Sequence, residues 1–391
     1  MSVREIRENI YSVGVIDWHR TLFDELIPLP DGTSYNAYLI FGSEATALID
    51  TVEPEFTDEL LDNLKRAGVE TLDYVISNHA EQDHSGAIPA VLEAYPEAEV
   101  ITGKKGKGML LDLLELKEEE IKAVSDGEEL SLGDKTLEFV ETPWVHWPET
   151  ISTYLKEENI LFSCDFFGSH LATSDLYVRD ENDVYEPAKR YYAEIMMPFR
   201  KIIQSNLKKL EDYKIEMIAP SHGPIYNNPE FIIDAYKEWV NDEVKPEVVV
   251  PYVSMHGSTE EMINYFVDRL VEKDITVKPF NMTKMDLGDL AISLVDAAAV
   301  VIGSPTVLTG PHPDAAYVSL LANALRPKTR YASIIGSYGW AGNMVDDLTG
   351  MIPKLNVELF DPVVARGKAD EDDFAEIDRL VEEIEKAFAK L

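Results

Sequence analysis

Cysteine is nearly missing from this chain: Cys164 is the one cysteine among 391 residues. Disulfides within the chain are thereby excluded, and so are iron–sulfur centres held by cysteines. Long apolar runs are missing too. No stretch reaches the length that spans a bilayer, and Met1-Ser2-Val3-Arg4-Glu5 does not open as a secretory signal. Cations are scarce. With 35 Lys and Arg against 72 Asp and Glu the formal charge is −37, so nucleic-acid backbones and anionic membrane surfaces would repel the chain. These absences leave neither nucleic acid nor membrane as a partner, point to the cytoplasm, and require any redox chemistry to use carriers other than cysteine.

What is present divides into two patterns, as expected for a chain of this length, which can hold two or three domains. Residues 1–245 read as one unit in which strands come in clusters (35–40 and 45–50, then 136–140, 151–155 and 160–163) with helices between, such as 56–67. That grouping fits stacked sheets with helices outside. A polar, charged stretch at 241–247 marks a boundary. Residues 246–391 then alternate regularly, with strands at 248–253, 275–280, 297–303, 331–335 and 357–360 separated by helical segments. Five parallel strands in that length fit a doubly wound α/β sheet.

The first pattern is organised around Asn78-His79-Ala80-Glu81-Gln82-Asp83-His84-Ser85-Gly86, which packs two imidazoles and two carboxylates into six positions. It follows the apolar run 72–77 and precedes a helix at 87–92 that Ser85 is placed to cap. Ligands there would sit where a strand runs into a loop, the edge at which α/β proteins place their sites. Later positions repeat that setting: His146 after the strand ending at 140, Asp165 after 160–164, and His222 in Ser221-His222-Gly223. Imidazoles and carboxylates together suit iron, manganese or zinc, and an aspartate able to bridge is what two adjacent ions need. His170 has no partner motif, and His19, Asp17-Trp18, Trp144 and Trp147 read equally as packing residues.

The order H-x-E-x-D-H, then His, then Asp, then Ser-His-Gly resembles the metallo-β-lactamase superfamily, and Glu81 in place of a second His resembles its flavodiiron branch. A carboxylate at that position tilts a metal pair toward redox-active iron and stabilises its ferric state. The resemblance implies His79, Glu81 and His146 on one iron, Asp83, His84 and His222 on the other, and Asp165 as the bridge.

In the second pattern, Ser254-Met255-His256-Gly257-Ser258-Thr259 leaves the first strand and opens the first helix. Hydroxyls and backbone N–H groups at such a terminus form an anion site without a cationic side chain. The loop is similar to the phosphate loop of flavodoxins, which hold FMN. Pro305, Thr306, Val307 and Leu308 follow the third strand; Ser337, Tyr338, Gly339, Trp340, Ala341 and Gly342 follow the fourth. In a flavodoxin-like sheet these two loops clasp the isoalloxazine, with Tyr338 and Trp340 available to stack.

Both halves together resemble the flavodiiron proteins over nearly the whole chain: a metallo-β-lactamase-like αββα sandwich followed by a flavodoxin-like doubly wound parallel sheet. The resemblance implies FMN and two iron ions, reduction of dioxygen to water or of nitric oxide to nitrous oxide, and a head-to-tail homodimer or a dimer of such dimers. With no cysteine-rich extension to carry electrons, the donor is expected to be separate, a rubredoxin-like protein or a reduced deazaflavin cofactor. Lys104, Lys105 and Lys107 are a local basic patch available to such a donor. Two other readings stand beside this one: a zinc hydrolase of the same superfamily, and an FMN electron carrier whose first domain is metal-free.

Overall fold

The computed structural model describes residues 3–23 and 25–391. The chain falls into two compact units. The first runs through Tyr191 and resumes over Phe199–Val240; the second takes Tyr192–Pro198 and Asn241–Leu391.

The first unit is built on two sheets. One has seven strands in the order Arg4–Arg7, Ile10–Ser12, Tyr38–Phe41, Thr46–Ile49, Tyr74–Ile76, Glu99–Gly103 and Ile121–Val124. Its first four strands pair antiparallel and the rest parallel. The other has five, Glu129–Ser131, Thr136–Glu141, Ile151–Leu155, Ile160–Cys164 and Met217–Pro220, antiparallel except for the last pair.

Period-two alternation makes this sandwich. Ile40, Ile49, Ile76 and Ile101 point one way and meet Leu137, Phe139, Phe162 and Met217 of the second sheet. Their neighbours Leu39, Leu48, Val75 and Val100 point the other way, onto Leu60, Leu64, Ile88, Val91 and Leu110 of the covering helices. Strands buried on both faces read as continuous apolar runs, which is how they look in the sequence.

The second unit is a parallel sheet in the order Thr276–Asn281, Lys245–Tyr252, Ala297–Val307, Tyr331–Tyr338, with a final edge shared by Glu358–Leu359 and Val363–Arg366. This is the 2-1-3-4-5 order of flavodoxin-like folds. Val248 and Val250 face helices Ser258–Glu272 and Glu371–Phe388, while Val249 faces Leu287–Leu294, Pro313–Leu325 and Met344–Met351.

Three local expectations need correcting. The fifth strand extends beyond 357–360: only Glu358–Leu359 pair there, and Val363–Arg366 carries the longer register against Ile335–Tyr338. The first strand of the second unit starts at Lys245, inside the stretch read as a boundary. Ser85 does not cap the following helix, Ile88–Ala94; its hydroxyl donates to the Ala80 and Glu81 carbonyls (2.7 and 2.9 Å) and closes a separate one-turn helix, Gln82–Ser85.

A candidate diiron centre and a flavin cradle

All seven metal-type residues sit where strands of the first unit end. His79, Glu81, Asp83 and His84 follow Tyr74–Ile76, His146 follows Thr136–Glu141, Asp165 follows Ile160–Cys164 and His222 follows Met217–Pro220. The loops are pinned by buried polar bonds. Asp50 accepts from Asn78 N and Nδ2 (2.8 and 2.9 Å), and Thr51 donates to the His84 carbonyl through both N and Oγ1 (2.7 Å each). Asn36 donates to the Pro220 and Gly223 carbonyls (2.9 and 2.8 Å). Gly223 has φ +80°, and a Cβ there would lie 2.1 Å from Ser169 Oγ, so the residue after His222 must be glycine.

The seven side chains converge in two groups, His79, Glu81, His146 and Asp165 in one, Asp83, His84 and His222 in the other. Asp165 joins them. Its Oδ2 lies 3.4 Å from His79 Nε2 and 3.5 Å from His146 Nε2; its Oδ1 lies 3.0 Å from His84 Nε2 and 3.4 Å from His222 Nε2. Glu81 Oε2 is 3.1 Å from His79 and 3.0 Å from His146; Asp83 is 3.1 Å from His84 and 3.3 Å from His222.

These spacings test the fit of a metal. Atoms about 2.1 Å from a common ion stand roughly 3.0 Å apart at right angles and roughly 3.4 Å apart at the tetrahedral angle. The observed range, 3.0–3.5 Å, matches. Both oxygens of Asp83, both nitrogens of His84 and Oδ2 of Asp165 are buried with no hydrogen-bond partner among the described residues. Buried polar atoms without partners carry a desolvation penalty that coordination to a cation would remove.

Without a cation, the acids and imidazoles share protons. Burial opposes charge on Asp165, but His84 and a hydrogen bond with His222 outweigh it and hold the carboxyl well below its usual range. Burial likewise opposes charge on His222, yet Asp165 and Asp83 push its pKa up to about 10. Glu81 is held low against burial by His146 and His79.

Sequence patterns missed the groups behind the ligands. Glu149 accepts from His79 Nδ1 at 2.6 Å and from Ala80 N at 3.1 Å. His222 Nδ1 donates to the Ser34 carbonyl at 2.6 Å, and Ser221 Oγ donates to Asp165 Oδ1 at 2.9 Å. These bonds engage Nδ1 of both imidazoles and leave Nε2 to face the cluster. Tyr191 packs on His222 and His170, and its hydroxyl is pushed up by burial and then by Asp165. His170 is buried with Nδ1 2.9 Å from Thr33 Oγ1. Trp147 meets His79 edge-on at 5.0 Å, Trp144 stacks on Phe199, and Asp17 spends Oδ1 on the His19 and Arg20 amides at 3.0 Å.

In the second unit, Ser254, Met255, His256, Ser258, Thr259, Pro305, Thr306, Ser337, Tyr338 and Gly339 line a cavity of about 190 Å³, joined by Gly367. A second cavity, about 340 Å³, shares Thr306 and Tyr338 with it and adds Ala341, Gly342, Asn343, Met344, Val345, Asp346 and Val364. Gly257 turns the chain at φ +90° into helix Ser258–Glu272. Thr259 Oγ1 meets Ser337 Oγ at 3.1 Å in the buried floor. Hydroxyls at a helix N-terminus beside two loops from the carboxyl ends of neighbouring strands suit a flavin phosphate and ring. Gly257, Val307, Leu308 and Trp340 line neither cavity; Leu308 and Trp340 stand 91% and 74% exposed.

Comparison with known proteins agrees with both halves. The ODP family beta lactamase domain matches residues 33–223. The chain is 37% identical to a nitric oxide reductase of Moorella thermoacetica over 90% of each, and 35% identical to a coenzyme F420H2 oxidase of Methanothermobacter marburgensis over 92% of each. Rubredoxin oxygen:oxidoreductase of Desulfovibrio gigas superposes with a TM-score of 0.95 at 29% identity, covering 100% of this chain and 99% of that one. The flavodiiron protein of Giardia intestinalis gives 0.91 at 26%, covering 100% and 97%. The chain belongs to the flavodiiron proteins, oxidoreductases that carry FMN and a diiron site.

Proposed function

We propose that this protein reduces dioxygen to water, nitric oxide to nitrous oxide, or both, at a pair of irons held by His79, Glu81, His146, Asp83, His84, His222 and the shared Asp165. The observation that carries the reading is Asp165, one oxygen facing each ligand group at 3.0–3.5 Å. When bound, two ferrous irons and a reduced FMN hold four electrons, the number dioxygen needs. The chain's own residues supply the setting. Carboxylates at 81, 83 and 165 offset the charge of two cations, Glu149 and Ser34 aim the imidazoles, and burial keeps bulk water from the ligands.

The FMN is assigned to the cradle formed by residues 254–259, 305–308 and 337–342, with its phosphate at the start of helix Ser258–Glu272. Tyr338, which lines both cavities, is the residue assigned to the ring. The relatives named for coenzyme F420H2 and for rubredoxin support a separate donor, a reduced deazaflavin or a rubredoxin-like protein. A head-to-tail homodimer, or a dimer of such dimers, in the cytoplasm completes the proposal. No helix among the described residues is long and apolar enough to cross a membrane.

The test is turnover. The anaerobically reduced protein, supplied with reduced F420 or reduced rubredoxin, is exposed separately to dioxygen and to nitric oxide while each gas is followed with an electrode. Donor-dependent consumption of at least one gas is expected. Reduced protein that neither gas reoxidises would overturn the assignment and favour an electron carrier.

A further inference from the structure

The two ligand groups are matched in their inner layer. Each has two imidazoles and one carboxylate of its own, and they share Asp165. They are not matched behind it. His79 Nδ1 donates to a carboxylate, Glu149 Oε1, at 2.6 Å, whereas His222 Nδ1 donates to a neutral carbonyl, that of Ser34, at the same distance. Glu149 is buried, its side chain 1% exposed, and its second oxygen has no hydrogen-bond partner among the described residues. Its charge is therefore felt by His79 with little screening. Asp165 leans the same way. Oδ1, on the side of His84 and His222, takes the Ser221 hydroxyl at 2.9 Å, while Oδ2, on the side of His79, takes none from the described residues. The other acids nearby do not cancel this. Asp50 acts on His84 ahead of His79 but spends both oxygens on Asn78, and Glu53, toward Asp83 and His84, is half-buried and solvent-screened.

We propose that Glu149 makes the iron site electrically unequal, so that the iron held by His79, Glu81 and His146 is oxidised before the iron held by Asp83, His84 and His222. This rests on the diiron reading above. An anion hydrogen-bonded to a ligand imidazole makes it a stronger donor and favours the more highly charged metal. In the first oxidation step the ferrous ion of the His79 half gives one electron to an added oxidant such as ferricyanide, which is reduced to ferrocyanide; no bond to protein forms or breaks. Glu149 touches neither metal nor substrate and acts through His79, as a positioning residue.

The experiment is an anaerobic potentiometric titration of the holoprotein, following the mixed-valent iron signal by electron paramagnetic resonance, on wild type and Glu149→Gln. Glutamine keeps the shape and an acceptor oxygen while removing the charge. Iron and flavin are counted first: a wild-type protein without two irons sinks the diiron reading, a result distinct from any failure of this inference. With both irons present, the lower of the two iron potentials is expected to rise in the variant by about tenfold in the one-electron equilibrium, about 59 mV. The upper iron potential and the FMN potentials are expected to stay, and the mixed-valent population to shrink. An unmoved lower potential, or a shift confined to the upper one, would overturn the proposal. Should the glutamine variant shed iron, stepwise cobalt(II) loading of the metal-free protein reads the same inequality. One of the two steps should weaken about 10–100-fold and the other should not. Equal weakening of both would overturn it.

Discussion

Asp165 and His84 meet at 3.0 Å through Oδ1 and Nε2, while the other oxygen of the same carboxylate lies 3.4 Å from His79. One side chain thus belongs to both ligand groups. Asp165→Ala should therefore strip both irons rather than one, and leave FMN bound, because the flavin cradle is built from a different unit of the chain. Metal analysis and flavin absorbance of the purified variant decide it. Loss of flavin along with iron would contradict two independent sites.

The converse variant is Thr259→Ala. Thr259 is buried at the start of helix Ser258–Glu272 and bonds Ser337 at 3.1 Å. Removing its hydroxyl should cost about 1–1.5 kcal/mol of FMN binding, roughly tenfold in Kd, with iron unchanged. Fluorescence titration of the flavin-free protein with FMN would read it, and an unchanged Kd would remove Thr259 from the phosphate site.

Metal uptake should depend on pH in a definite direction. In the metal-free fold His222 has its pKa raised from the ordinary 6.5 to about 10, against burial, by Asp165 and Asp83. A metal ion must displace that proton. Cobalt(II) affinity should thus climb with pH across this window, and binding near neutral pH should release protons, visible as buffer-dependent heat in calorimetry. The sign reverses for stability of the metal-free protein. A raised imidazole contributes stability that is complete below pH 6.5 and lost as pH rises toward about 10. His222→Gln should flatten both dependences; a variant with the wild-type slopes would show that another group carries them.

Asn78→Ala should loosen the ligand loop. Asn78 Nδ2 donates to Asp50 and its Oδ1 accepts from Thr153 Oγ1 at 2.7 Å, all of it buried. Burial, opposed by His84 and the Asn78 bonds, already pushes the Asp50 carboxyl up to about 6, so losing a donor should push it higher. The expected destabilisation is about 2 kcal/mol by chemical denaturation, with weaker iron retention. No change in either would mean that the loop holds its shape without this network.

How much of this was legible in the sequence follows from range. The proposed ligands announce themselves because strand ends put them in short local clusters, as His79, Glu81, Asp83 and His84 show. The groups behind them do not. Glu149 reaches His79 across 70 positions, and Ser34 reaches His222 across 188, with no pattern in either neighbourhood. Gly367 joins the flavin cavity for the same nonlocal reason, whereas Asn343 and Asp346 simply continue the loop at 337–342. Clustered strands pointed to the stacked sheets of the first unit, and strand–helix alternation to the doubly wound sheet of the second. That alternation misjudged the last strand because 357–360 is apolar at its ends, whereas the register runs through Val363–Arg366. Ser85 looked like a cap because the one-turn helix Gln82–Ser85 was invisible at that length.

The most direct test of the account is the metal and flavin content of the purified chain. Two irons and one FMN per chain, with iron lost but flavin kept in Asp165→Ala, is the predicted result. A colourless protein holding zinc and no flavin would contradict it and return the chain to hydrolytic chemistry.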